Sequence, residues 1–240
     1  MSRQTDAPLT QLNSFKLPSV ARELWLATKR SQLQAAINAS HHRRPVILAG
    51  GSNILLPDHP LELVWQLRDD LLPIEPDSQG RVSVWAGTSL SRLINSTIAH
   101  GWPGGENFVL IPGSVGAAVY NNIHGYSNDF IGRYVTGVDA WDFQDRTWVH
   151  LDHDQLQFGY DTSLFHSGRY LIAQVDLQFK NQVPSGLLRA RYGNYARQKR
   201  VSQPYGVPSA GCFWANPTNS AQLCARFPQF ASKKQFPAGF

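Results

Sequence analysis

Short apolar runs ended by Gly or Pro recur through the first 180 residues, and they constrain the fold more than any other feature. Runs of about four to eight apolar residues are typical of strands, whereas a helix shows a longer 3.6-residue period. One helical period covers residues 30–39, with Leu33, Ala36 and Ile37 on one face. Residues 19–70 are therefore predicted to form a small α/β unit, with strands at 21–28, 45–48, 54–56 and 61–67.

A second unit follows from residue 81. It is predicted to contain a strand at 81–87, and then a helix that Thr88 caps and Gly101 ends. The strands 137–143 and 147–151 flank the turn 144–146 and predict an antiparallel hairpin, and a further strand is expected at 170–180. Residues 181–186 are interpreted as a linker, and we place a domain boundary there.

Charge is distributed unevenly along the 240 residues, whose formal net charge is +5. Residues 1–176 hold every Asp and Glu, whereas residues 177–240 hold nine Lys or Arg and no acid. The last quarter therefore favours an anionic partner, either nucleic acid or the phosphates of a small ligand. The polar start and the lack of a long apolar run predict a cytoplasmic protein with no membrane span. We expect no metal site.

Two glycine-rich segments are candidates for a ligand site. Gly50, Gly51, Ser52 and Asn53 follow an apolar run, and their successive N–H groups would form a concave anion site. Taken alone, the segment favours a tight hairpin turn, because Gly-Gly and Ser-Asn are ordinary turn residues. The second segment runs from Gly104 to Asn122 and has small residues after Pro112. It predicts a helix start with free N–H groups directed at a phosphate, or else close backbone packing.

A third candidate is Cys212 in the run PSAGCFWANP. A thiol in a basic segment can exchange a proton, although a lone Cys is more often a small buried hydrophobic residue. The basic segment itself favours anion binding. A nucleic-acid-binding module that stacks bases on Tyr192, Tyr195 and Tyr205 is the alternative from a different functional class.

The order of the motifs AGGSN, GGENFVLIPGSVGAAVYNNIHGY, FGYDTSLF and PSAGCFWANP resembles that in the UDP-N-acetylenolpyruvoylglucosamine reductases of peptidoglycan synthesis. The resemblance runs from about Leu12 to Phe240. It implies an α+β fold with an FAD-binding domain of the vanillyl-alcohol-oxidase (PCMH) type at residues 12–180, in subdomains of about 12–70 and 71–180. Residues 187–240 would then be the first part of a truncated substrate-binding domain.

The resemblance also implies the chemistry, in which NADPH reduces FAD and the flavin reduces the enolpyruvyl group of a UDP-sugar. Cys212 would be the proton donor, and we expect a monomer. The FAD would be bound by Gly50, Gly51, Ser52, Asn53, Gly105, Ile111, Pro112, Gly113, Ser114 and Gly116. The substrate would be bound by Tyr160, Arg197, Lys199, Arg200 and Asn216.

The sequence departs from the family pattern in three ways. Asp161 stands where the family has an Arg, and Arg169 or Arg133 is the expected substitute. Ala215 stands where a Lys precedes Asn-Pro, and no acid follows Asp176 to match the family's C-terminal Glu. We therefore expect FAD binding to survive and the reductase activity of these 240 residues to be weak. The alternatives are a flavin-binding paralogue without activity and a flavin oxidase of the same fold.

Overall fold

The computed structural model describes residues 2–41, 43–203, 207–211 and 216–232. The N-terminal part forms a four-stranded sheet in the order β1-β2-β4-β3. β1 pairs antiparallel with β2, whereas the pairs β2·β4 and β3·β4 are parallel. The strands are β1 (Ser2–Pro8), β2 (Val20–Ala27), β3 (Val46–Leu48) and β4 (Val64–Leu67).

A second four-stranded sheet has the order β5-β8-β6-β7, and its paired strands are all antiparallel. The predicted hairpin is confirmed as β6 and β7, whose turn is closed by the bond from the Arg146 N–H to the Asp142 carbonyl at 2.9 Å. The strands are β5 (Arg81–Trp85), β6 (Val135–Asp142), β7 (Thr147–Asp152) and β8 (Tyr170–Gln178). The α+β class is therefore confirmed.

Five α-helices occur in the described residues: α1 (Arg30–Ala39), α2 (Leu90–Ala99), α3 (Val115–Tyr120), α4 (Ser185–Ser202) and α5 (Ala221–Arg226). The predicted limits of α1 are confirmed. The predicted cap of α2 is wrong by one residue, because Ser89 is the N-cap. The Ser89 N–H donates to the Asp69 carboxylate at 2.9 Å, so a residue distant in sequence fixes this helix end.

One hydrophobic core joins the two sheets. It contains Trp25 and Trp65 from the first sheet together with the buried faces of α2, α3 and the second sheet. A smaller core lies beneath β1, around Leu9, Leu24 and Val64. Because the cores bring β3 and β4 close to α3, the two glycine-rich segments come together between the sheets.

One strand predicted from the sequence is wrong, and one observed strand was not predicted. Residues 54–56 are not a strand, because Leu56 is buried in the smaller core while the backbone of the segment leaves the sheet. β1 is not predicted by its side chains, of which only Ala7 is buried. Its six backbone pairings with β2, from Ser2↔Leu26 to Pro8↔Val20, make the strand.

The C-terminal basic segment begins with a helix. The residues interpreted as a linker are packed on the preceding unit, since the Val183 N–H donates to the Gly101 carbonyl at 2.8 Å. α4 follows and packs on α2. The limits proposed for the domains stay a prediction. Within the described residues, no helix combines the length and hydrophobicity needed to cross a bilayer.

Glu23 on β2 contacts three side chains of the N-terminal part, those of Arg3, Trp25 and Arg43. Its carboxylate lies 2.7 Å from Arg43 and 3.2 Å from Arg3, and it accepts the indole N–H of Trp25. Burial alone would raise the pKa of Glu23. The hydrogen bonds of Arg43 and Trp25 and the positive charges of Arg43 and Arg3 have the larger combined effect and lower this pKa. The carboxylate therefore stabilises the fold above its ordinary pKa, and this contribution disappears as pH falls through the lowered value.

We expect Glu23→Gln to lower the melting temperature at pH 7 by about 3–6 °C, because about 1–2 kcal/mol of charged hydrogen bonding is lost. The melting temperature of the variant should also depend less on pH below about 4.5 than that of the native chain. Glu62→Gln is the matched control, since Glu62 makes an exposed pair with Arg22 at 3.0 Å. Equal effects of the two substitutions on thermal unfolding would contradict the assignment.

Candidate functional site

A cavity of about 410 Å³ lies where the two sheets meet, and we call it the glycine-lined cavity. The first sheet contributes the end of β3 and the residues after it. The second unit contributes the start of α3 and one end of β8. Its lining includes Ile47, Ala49, Gly50, Gly51, Ser52, Asn53, Ala86, Ser114, Gly116, Ala117, Tyr120, Asn121, Tyr170 and Ile172. Residues predicted from two separate motifs therefore share one site.

The backbone from Gly50 to Asn53 is shaped to receive a ligand. Gly51 has φ +63°, and a Cβ there would lie 1.9 Å from the carbonyl oxygen of Leu12, so only Gly fits. The Gly51 carbonyl accepts the Ser14 N–H at 2.9 Å, which fixes the turn. Among the described residues, the N–H groups of residues 50–53 have no hydrogen-bond acceptor. They are available to an anion in the cavity.

The two glycine-rich segments touch one another. A Cβ on Gly50 would lie 3.1 Å from the Cα of Gly113, which itself has φ +119°. The Ser52 hydroxyl donates to the Pro112 carbonyl at 3.4 Å. The absence of side chains at both glycines thus permits the close backbone approach that forms one edge of the cavity.

The start of α3 differs from the expectation. Ser114 is the N-cap, and its hydroxyl accepts the Ala117 N–H at 3.3 Å. However, the Val115 N–H donates to the Thr88 carbonyl and the Gly116 N–H to the Ala86 carbonyl, each at 2.8 Å. The N–H groups expected to be free are therefore used to pack the helix against the end of β5.

Four predicted cofactor residues are not among the residues that line the cavity: Gly105, Ile111, Pro112 and Gly113. Gly105 packs on α2, where a Cβ would lie 2.2 Å from the Thr97 hydroxyl oxygen. Ile111 is half-buried against the main core. The motif therefore contains residues of two kinds. Its later members Ser114 and Gly116 line the cavity, and Pro112 and Gly113 contact Ser52 and Gly50 at its edge. Gly105 and Ile111 position the segment.

A second group of residues lies beyond the C-terminal end of α3, and we call it the His124 cluster: His124, Phe130, Tyr160 and Asp161. The His124 ring stacks on Tyr160 with centroids 5.7 Å apart, and its Nδ1 lies 2.8 Å from the Asp161 carboxylate. The hydrogen bond that the Asp161 carboxylate accepts raises the pKa of His124, and partial burial and the charge of Lys199 oppose this.

Two predicted substrate residues meet at this cluster. Burial and the charge of Asp161 raise the pKa of Tyr160, whereas hydrogen bonds with Asn216 lower it, so Asn216 contacts Tyr160. Lys199 on α4 donates to the Val109 carbonyl at 3.1 Å and is close enough to influence His124. Arg197 and Arg200 are exposed on the same helix. Cys212 lies outside the described residues.

Asn122 positions the turn that carries Tyr160 and Asp161. Its side-chain N–H₂ donates to the Gly159 carbonyl at 2.7 Å, and its side-chain oxygen accepts the Gly132 N–H at 2.9 Å. Asn122 is 4% exposed, so both bonds are shielded from water. The end of α3 is in this way connected to the predicted substrate residues.

The two arginines proposed to replace the missing family Arg are engaged elsewhere. Arg169 binds Asp142 through Nε and Nη2, at 2.9 and 2.6 Å. Asp142 is 1% exposed, so this pair closes the β6–β7 hairpin. Arg133 pairs with Asp129 at 3.2 Å. The basic side chain beside Asp161 is His124 instead. The sequence did not single it out because a lone His carries no spacing signal.

Comparison with known proteins shows the family of this chain. A family model described as an FAD binding domain matches residues 23–152, which is more than half of the chain. The reductase of Cupriavidus pinatubonensis, named UDP-N-acetylenolpyruvoylglucosamine reductase, is 32% identical over 97% of this chain and 77% of its own length. The chain belongs to the UDP-N-acetylenolpyruvoylglucosamine reductase family. A reductase of the same name from Thermotoga maritima is 30% identical, over 85% of this chain and 70% of its own length.

Solved structures agree with this family. The crystal structure of UDP-N-acetylenolpyruvylglucosamine reductase from Thermus caldophilus matches with a TM-score of 0.74 and 25% identity, over 94% of this chain and 79% of that one. Glucooligosaccharide oxidase from Acremonium strictum matches with a TM-score of 0.55 and 12% identity, over 71% and 37% of the two chains. At that identity the oxidase shares the fold alone.

The glycine-lined cavity fits the FAD of this family. The close backbone approach of Gly50 and Gly113 forms one edge of the cavity, and the amides of residues 50–53 suit a diphosphate. Apolar residues such as Ile47 and Ile172 suit the flat ring systems. Among the described residues, no group of three His, Cys, Asp or Glu side chains is arranged to bind a metal ion.

Proposed function

We propose that this chain binds FAD in the glycine-lined cavity and reduces UDP-N-acetylenolpyruvoylglucosamine with NADPH. The observation that carries the proposal is that Gly50–Asn53 line one cavity together with Ser114 and Gly116, and that the amides of residues 50–53 have no acceptor among the described residues. Relatives that are 29% and 32% identical to this chain are named as reductases.

Each part of the chain then has a role. Bound in the cavity, FAD would supply a flavin N5 that takes hydride from NADPH and gives it to the enolpyruvyl group. The amides of Gly50, Gly51, Ser52 and Asn53 hold the FAD diphosphate, and Pro112, Gly113, Ser114 and Gly116 form the facing wall. Gly105 and Ile111 act indirectly, by fixing that wall.

The substrate would lie between the cavity and α4. Tyr160 and Asn216 contact each other and border the sugar, while Lys199, Arg197 and Arg200 meet the negative charges of the UDP group. Cys212 gives the proton to the second vinyl carbon, since a thiol can donate a proton at neutral pH. We further propose that the protein acts as a monomer in the cytoplasm.

The test is the visible absorption spectrum of the dialysed protein between about 350 and 500 nm, a window set by the flavin. Stoichiometric FAD that NADPH bleaches and UDP-N-acetylenolpyruvoylglucosamine restores would establish the reductase. UDP-N-acetylglucosamine, which has no enolpyruvyl group, is the control and should not restore the colour. A protein that takes up no FAD would contradict the proposal.

Three alternatives predict different outcomes. FAD that is bleached and not restored by the substrate would indicate a flavin-binding protein without reductase activity. The Asp161 carboxylate, which repels a substrate carboxylate, favours this alternative. Oxygen consumption without the UDP-sugar would indicate a flavin oxidase. Salt-sensitive binding of nucleic acid by a colourless protein would support the basic module.

A further inference from the structure

His124 and Asp161 form a hydrogen-bonded pair beside the predicted substrate residue Tyr160. The family motifs do not explain this pair. Nδ1 of His124 lies 2.8 Å from Asp161, and the two side chains are 45% and 37% exposed. Among the described residues, Nε2 of His124 has no hydrogen-bond partner. One side of the ring is thus fixed, and the other is free to meet a ligand.

The pair is held in place from several sides. Asp161 has φ +51° in a tight turn that the Gly159 N–H closes by donating to the Thr162 carbonyl at 3.0 Å. Asp tolerates this conformation better than most residues. The His124 ring also stacks on Tyr160 and lies 5.9 Å from Phe130. Its position is therefore set before any ligand arrives.

The charge of the pair depends on the His124 ring. When His124 is protonated, both nitrogens donate, the pair is neutral and Nε2 presents an N–H to the solvent side. When His124 is neutral with the proton on Nδ1, Nε2 is only an acceptor and the pair carries the Asp161 charge. Lys199 and Tyr160 are the other titratable groups facing it. An anion would bind the first state and be repelled by the second.

We propose that His124, oriented by Asp161, binds the enolpyruvyl carboxylate of the substrate through the Nε2–H of its protonated ring. This rests on the proposed function, because it assumes the UDP-sugar reaches Tyr160 and Asn216. The assignment resolves the conflict of an acid at position 161, since the acid acts on the ring and not on the substrate. Carboxylate recognition is then lost as pH rises through the His124 pKa.

The experiment compares two ligands on the FAD-loaded protein by titration calorimetry at about pH 6 and pH 8.5, on either side of the His range. UDP-N-acetylenolpyruvoylglucosamine carries the carboxylate, and UDP-N-acetylglucosamine does not. The ratio of their affinities should fall about tenfold from the lower to the higher pH, which is the size of one charge-assisted hydrogen bond. Using the ratio cancels pH effects on the UDP group.

The variants His124→Gln and His150→Gln complete the test. His150 lies 2.8 Å from Asp139 in the same geometry, on the hairpin of the second sheet, and serves as the control. In His124→Gln the affinity ratio should be low at both pH values, and in His150→Gln it should match the native chain. A native ratio in His124→Gln, or a ratio in the native chain that does not change with pH, overturns the inference.

Histidine NMR gives a second readout that a purely structural role would not move. Adding the carboxylate ligand should raise the pKa of His124, and adding UDP-N-acetylglucosamine should not. An unchanged pKa with saturating carboxylate ligand overturns the inference while leaving the proposed function intact. Failure of both ligands to bind an FAD-loaded protein overturns the proposed function and the inference together.

Discussion

Gly51→Ala is expected to abolish tight FAD binding, with a loss of affinity of about 100-fold or more. The new Cβ would lie 1.9 Å from the Leu12 carbonyl oxygen and 2.9 Å from the Asn13 Cα, and both are backbone atoms that cannot rotate away. The segment 50–53 must therefore move, and its amides no longer converge. Losing two charged hydrogen bonds of about 1.5–3 kcal/mol each accounts for the size of the effect.

Gly168→Ala is the matched control for this prediction. Gly168 has φ +71°, close to that of Gly51, but a Cβ there would meet nothing within 4 Å. Both substitutions carry the left-handed strain of about 1–2 kcal/mol, and only Gly51→Ala adds the collision. FAD titration by flavin fluorescence and thermal unfolding measure the two effects. Native FAD affinity in Gly51→Ala would show that the cofactor is held elsewhere.

Asn122→Ala is expected to destabilise the chain by about 2–4 kcal/mol, a fall in melting temperature of roughly 5–10 °C. The substitution leaves the Gly159 carbonyl and the Gly132 N–H without their buried partner. Because the Gly159 turn carries Tyr160 and Asp161, affinity for the UDP-sugar should also fall. FAD binding should persist, since the amides of residues 50–53 are not touched.

Two further variants separate the causes. Asn122 has φ +43°, so Asn122→Gly removes the side chain without the backbone strain and should regain about 1 kcal/mol relative to the Ala variant. Asn121→Ala removes the neighbouring amide, for which the described residues show no side-chain hydrogen bond, and should keep native stability. Equal melting temperatures for Asn121→Ala and Asn122→Ala would contradict this role.

Local signals in the sequence predicted the regular elements well where side chains alone define them. The apolar face of residues 30–39 identified α1, and alternation around a polar turn identified β6 and β7. They failed where backbone pairing or contacts between residues distant in sequence determine an element or its ends. β1 is made by pairing with β2. The start of α2 is fixed by Asp69, twenty residues before it.

The candidate site shows the same division. Four ordered motifs identified the family and the FAD chemistry and predicted Gly50 to Asn53 as cofactor residues, because each motif constrains residue types over a short stretch. The sequence by itself also determined that position 161 is an acid. It could not find the partner of that acid, since His124 lies 37 residues away and only the packing of α3 against the Gly159 turn brings the two within 2.8 Å.

The tertiary structure alone decided which residues of each motif line the cavity. Gly105 and Gly116 belong to one motif, yet Gly105 packs on α2 and Gly116 lines the cavity. It also decided that Arg169 and Arg133 are bound to Asp142 and Asp129. The physical reason is that contacts between segments depend on how the two sheets share a core, and no local pattern of side chains encodes that arrangement.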